Sequence, residues 1–166
     1  SELGRGILLF TGERVTNASA RHILAEESCR ALRLLAVKDH VVESALERAD
    51  AGLSQCLERW AQDARHDAGL FCCGKCSVGL WRNLLSGGLD RREERIERGV
   101  RALRSKRDGA NGWAKFPFWY TVLALQEMDT RGAREELVYA RPKLERAATR
   151  GTSAPRRKRL AELALK

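Results

Sequence analysis

The sequence predicts an all-α protein of stacked helical hairpins, and three observations carry that prediction. Apolar residues recur at every third or fourth position along most of the chain, which is the period of one helix face. Alternating runs long enough to make a useful strand do not occur. Similar segments also return after about 49 and then about 44 residues, as expected of a helical repeat.

The elements follow in chain order. The stripe Val42, Leu46, Ala49, Leu53, Cys56, Leu57, Trp60 predicts an amphipathic helix over 41–60. Gly52 weakens it by about 1 kcal/mol without interrupting the stripe. With the segment before it, this helix forms a first pair over about 18–65. Gly87-Gly88 is placed to close a helix with a left-handed cap. Asp90 followed by Glu93 has the pattern of a capping box, predicting a new helix with Ile96, Val100 and Leu103 inward; this second pair spans about 76–106. Pro117 lacks an N–H and suits a first turn, so a helix is expected over 118–129. Another follows over 134–150 with Pro142 as a kink point, closing a third pair over about 118–150. Ser153-Ala154-Pro155 opens a short basic helix over 155–166. All of this reads as one helical-repeat domain.

The repeat emerges on overlaying three segments without gaps. SCRALRLL from Ser28, SVGLWRNL from Ser77 and TVLALQEM from Thr121 each open on a hydroxyl residue and end on an apolar one. Glycine turns precede the last two, AGLFCCGKC and NGWAKFPFWY. One such pair cannot hide its own apolar face, so neighbours must stack.

The segment LRSKRDGANGWAKFPFWYTVLAL resembles the repeat of the terpenoid cyclase and protein prenyltransferase superfamily. Arg107, Asp108, Gly109, Gly112, Trp113, Tyr120, Thr121, Leu123 and Leu125 carry the likeness, and the turn from Gly69 to Cys76 looks like a diverged copy. The resemblance implies a partial α/α toroid whose inner helices face an apolar cavity. It implies turn-building roles for Gly109, Gly112, Trp113 and Pro117, and a pocket lining of Trp81, Arg82, Phe118, Trp119 and Tyr120. The chain departs from the family in chemistry. The Asp-x-Asp-Asp acid motif of the cyclases is missing, as is an Asp-x-Cys zinc motif before an inner helix, and Thr121 stands near where a metal-binding His is wanted. Catalysis does not transfer with a fold.

Composition sets the remaining expectations. The chain has 166 residues and a formal net charge of +9. Much of the excess is Arg interleaved with Glu, as on a solvated helix face; the one unbalanced run is Arg156 to Arg159. The absence of a basic-then-apolar leader and of a long apolar run predicts a cytoplasmic protein without a membrane span. An odd count of five cysteines argues against a disulfide framework, and Cys29 and Cys56 fall on apolar helix faces as packed thiols.

Cys72, Cys73 and Cys76 in CCGKC are the sharpest chemical feature. A Cys-x-x-Cys suits turn packing, a zinc site completed from Cys72, His66 and Asp67, or a redox dithiol whose thiol is acidified by Lys75 and a helix start. His22, His40 and His66 share no motif. Arg82 aligns with Arg33 and Gln126, and two arginines in a cavity would grip a phosphate or carboxylate. The expected function is a non-catalytic binding or scaffold module with an apolar, isoprenoid-like pocket between inner helices, open to self-association into a homo-oligomer. The alternatives are a degenerate prenyltransferase- or cyclase-like enzyme and, more weakly, a nucleic-acid binder using the C-terminal basic helix.

Overall fold

The computed structural model describes residues 6–16, 18–62, 69–150 and 154–166. Among the described residues the chain is all-α apart from a small hairpin, β1 (Ile7–Leu8) and β2 (Arg14–Val15), paired antiparallel with Ile7 opposite Val15. The described helices are α1 (Ala18–Leu34), α2 (His40–Ala61), α3 (Gly74–Leu85), α4 (Arg92–Arg104), α5 (Phe118–Glu127), α6 (Arg131–Thr149) and α7 (Pro155–Ala164). None is long and apolar enough to cross a membrane.

The helices form two rows. In one, α1 packs on α3 and α3 on α5; α2, α4 and α6 are paired with α1, α3 and α5, α4 touches α6, and α7 packs mainly on α6 and also on α5. The stripe Ile96, Val100, Leu103 is buried as its spacing requires. Helix α3 lies at the centre and is buried almost all round, from Cys76 through Leu84, so its polar side chains Arg82 and Asn83 are paired with groups from α1 and α5 rather than with solvent. Helices α3 and α4 approach closely because Gly99 has no side chain: a Cβ there would run into the Trp81 indole. Exposed apolar side chains gather at the α1–α2 turn, where Leu34, Leu35, Val37 and Val41 face outward.

Local signals place most boundaries. Asp39 caps α2, accepting from the N–H groups of Val41 at 2.8 Å and Val42 at 3.2 Å, and α2 runs unbroken through Gly52. Gly87 and Gly88, both at φ +93°, follow the end of α3. Helix α6 begins earlier than its apolar pattern, because Thr130 caps it through the Ala133 N–H; it continues through Pro142. Pro117 precedes α5 rather than opening it. A residue from the far end of the chain supplies the missing cap. The Glu13 carboxylate accepts from Trp119 N–H at 3.0 Å and Tyr120 N–H at 2.8 Å.

Two expectations need correction. Asp90 does not cap α4: its carboxylate is taken by Ser54 and Arg95, each at 3.0 Å, and the helix starts after Arg91, which adopts a left-handed φ of 51°. The three-copy overlay holds for two copies only. Ser77 and Thr121 are each the fourth residue of their helix, and each hydroxyl bonds back 2.8 Å to the capping carbonyl, of Cys73 and Pro117 respectively. Ser28 instead lies in the middle of α1. Serine is tolerated inside a helix, so the hydroxyl of Ser28 alone does not mark a start.

Candidate functional site

The start of α3 gathers the chemistry that the sequence divides between distant segments. Cys73 is the N-cap of α3, in extended conformation, and Cys76 is buried in its first turn. Cys72 is exposed and held at φ +45°, a left-handed conformation uncommon outside glycine. The loop is fixed by Ser77, whose Oγ accepts from Phe71 N–H at 2.9 Å and lies within hydrogen-bond reach of the carbonyls of Phe71 (3.1 Å) and Cys73 (2.8 Å). Cys73 Sγ lies 3.6 Å from Cys76 Sγ, and Ser19 Oγ lies 3.4 Å from Cys73 Sγ. The contact with Cys76 draws the Cys73 thiol down to about 4 against the effect of burial. The same contact, then burial, pushes Cys76 up.

His22 reaches this loop from α1. Its Nδ1 is 3.2 Å from Cys76 Sγ, and its ring tilts against Phe71 with centroids 5.1 Å apart. Sequence reasoning missed His22, because its partner is 54 positions away and no local motif contains both. His66 and Asp67, the ligands expected to supplement the cysteines, lie outside the described residues.

Beside the loop is a cleft of about 330 Å³ between α1, α2 and α3. Its apolar walls include Ala25 and Cys29 from α1, Leu53 and Cys56 from α2, and Phe71. Trp60 backs the last of these, stacked at 4.9 Å. Cys29 and Cys56 are thus half-buried wall residues rather than fully packed thiols. Glu26, Asp50 and Asn83 supply the polar part. Asn83 Nδ2 donates to Glu26 at 2.5 Å, and Arg33 donates to Asn83 Oδ1 at 2.5 Å while pairing with Asp50. Burial pushes the Glu26 carboxyl up to about 7, against the lowering influence of Asn83 and Arg33. The cleft therefore combines apolar walls with a carboxyl group able to hold its proton near neutrality.

The residues predicted to line a pocket lie elsewhere. Trp81 is 1% exposed and stacks on Phe116 at 5.9 Å. Phe118 stacks on Trp113 at 5.8 Å, meets Trp119 edge-on at 5.0 Å and lies under the Lys143 ammonium at 4.0 Å. Arg82 grips protein carboxylates. Its Nε and Nη2 donate to Glu127 at 2.9 Å each, and it also pairs with Glu27, to which the Tyr120 hydroxyl donates at 2.6 Å. Arg30 adds a bond to Glu127 at 3.0 Å. This belt ties α1, α3 and α5 together, and none of the five predicted residues lines the cleft.

The turn before α5 is built as a unit. Asp108 accepts from Ala110 and Gly112 N–H groups at 2.8 and 2.9 Å, Gly109 sits at φ +74°, and the Trp113 Nε1–H donates to Glu136 at 3.0 Å. Glu136 is fully buried and also receives Arg104 at 2.9 Å and Arg107 at 2.9 and 3.1 Å. Thr121 is buried and bonds Pro117. In the C-terminal basic run, Arg156 donates to the carbonyl of Phe10 at 3.3 Å. Arg157 donates to those of Thr11 and Gly12 at 3.1 and 2.8 Å. Two of those cations therefore fasten α7 to the N-terminal hairpin.

Comparison with protein-family models, curated proteins and solved structures finds no match to this chain.

Proposed function

We propose that the chain is a non-catalytic helical-repeat module that holds a small apolar molecule bearing one polar head group in the cleft between α1, α2 and α3. The observation that carries this reading is the cleft itself. Its volume of about 330 Å³ and its largely apolar walls around Glu26, Asp50 and Asn83 match the size and make-up of small-molecule sites. Glu26, protonated near neutral pH, is suited to exchange hydrogen bonds with an alcohol head. The likeness of the Arg107–Leu125 segment to the prenyltransferase and cyclase repeat adds a preference for isoprenoid over straight chains. It also favours reading the two rows as part of a toroid.

Titration calorimetry with geraniol and decanol tests the assignment. Saturable binding is expected, tighter for geraniol. Leu53→Trp and Cys29→Phe, which fill the cleft from opposite walls, are each expected to weaken binding at least tenfold with unchanged helical circular dichroism. Affinity that survives both variants would place the ligand elsewhere, and no saturable binding of either alcohol would refute the reading.

A further inference from the structure

We propose that His22, Cys72, Cys73 and Cys76 bind a zinc ion that pins α1 to the start of α3. This metal site is separate from the ligand reading above and does not depend on it.

Three thiols and an imidazole are the donor set that tetrahedral zinc favours, and a poor one for magnesium or calcium. Zinc–sulfur bonds of about 2.3 Å and zinc–nitrogen bonds of about 2.0 Å put tetrahedral ligands roughly 3.3–3.8 Å apart. One separation falls within that range, 3.6 Å from Cys73 Sγ to Cys76 Sγ, and another lies just below it, 3.2 Å from His22 Nδ1 to Cys76 Sγ. Ligand atoms of His22, Cys72 and Cys76 all lie within 4.8 Å of one another. Cys73 stands outside that trio and joins it through Cys76, 3.6 Å away, so rotations of the Cys72 and Cys73 side chains would bring all four donors around one ion.

The backbone is arranged for this convergence. Cys72 holds a left-handed φ of 45°, and the Ser77 hydroxyl clamps the loop at Phe71 and Cys73. Ser19 Oγ, 3.4 Å from Cys73 Sγ, stands as an outer-shell partner of the kind that orients metal ligands. All four cysteine and histidine ligands come from the protein, so the site is closed and structural rather than catalytic. The ion enters from the side of Cys72, since Cys76 is buried. His22 and Phe71 also border the cleft, so a bound ion would hold two of its walls in register.

The test uses the full chain, purified reduced and without chelators. Metal analysis is expected to find one zinc per chain. After zinc removal, cobalt(II) titration is expected to give the intense visible absorption of tetrahedral thiolate-bound cobalt, saturating at one equivalent and abolished by zinc. Cys76→Ser and His22→Ala should each weaken cobalt binding at least tenfold, and His40→Ala should leave it unchanged. The wild-type titration stands alone if a variant fails to fold. Absence of saturable cobalt absorption in the reduced wild type would overturn the proposal. So would a weak octahedral spectrum, or cobalt binding unaffected by both ligand substitutions.

Discussion

Two buried glutamates illustrate how an acidic side chain inside the protein is either neutralised or paired. Glu26 is neutralised. It keeps its proton up to about pH 7 in the folded chain, against an ordinary value of 4.5. Between those values the folded state binds the extra proton. The stability from this group is therefore complete below pH 4.5 and lost as pH rises through 7. Denaturant unfolding of wild type and Glu26→Gln at pH 4 and pH 8 isolates the effect: the wild type should lose about 3 kcal/mol relative to the variant. Glu136 is paired: burial works to raise its pKa, but Arg107, Trp113 and Arg104 outweigh it and hold the carboxyl below the ordinary value. Glu136→Ala leaves the Trp113 N–H without its acceptor and two arginines without their anion. Because those arginines are partly exposed, unfolding should become easier by about 2–4 kcal/mol. In a chain rich in Arg–Glu pairs, such residues look like surface charge. One signal was available for Glu136: it falls on the buried stripe Ala133, Ala140, Leu144, Ala147, at helical spacing from residues that are all apolar. Its partners, 23 to 32 positions away, left no trace in the sequence.

At the scale of the helices, spacing and punctuation were legible, and long-range capping was not. The α2 helix, the Gly87-Gly88 stop and the break at Pro117 are local physics and read correctly, although of the α2 stripe only Leu57 is buried and Ala49 is exposed. The Glu13 cap of α5 joins positions more than a hundred residues apart and has no local signature. Asp90 shows the opposite failure: its pattern suggests a cap, but Arg95 and Ser54 hold its carboxylate. The same contrast gives a prediction of opposite signs for one chemical change. A methyl added at Gly52 would meet only open space, so Gly52→Ala in α2 should raise stability by about 0.5–1 kcal/mol. Gly99 lies against Trp81, so Gly99→Ala in α4 should lower it by about 1–3 kcal/mol. Thermal or urea unfolding of the two variants reads both signs.

At the scale of the whole molecule, the aromatic cluster that dominates the sequence builds the joint between successive helix pairs. Phe116 stacks on Trp81 and Phe118 on Trp113, whose ring also meets Tyr139 at a tilt, and Tyr120 joins the charged belt across α1, α3 and α5. The cleft lies beside the earlier pair of helices, α1 and α2, where α2 covers α1 less completely. Composition and periodicity revealed the helical rows, but the position of a gap depends on how three elements meet. Side chains at 26, 53 and 83 share no motif that a linear reading would join. On the proposed function, this gap rather than the aromatic joint receives the ligand. Nuclear Overhauser contacts from bound geraniol to the full-length protein test it most directly. Contacts to the methyls of Ala25 and Leu53 and to the Phe71 ring are the predicted result; contacts to Phe118, Trp119 and Tyr120 in their place would contradict it.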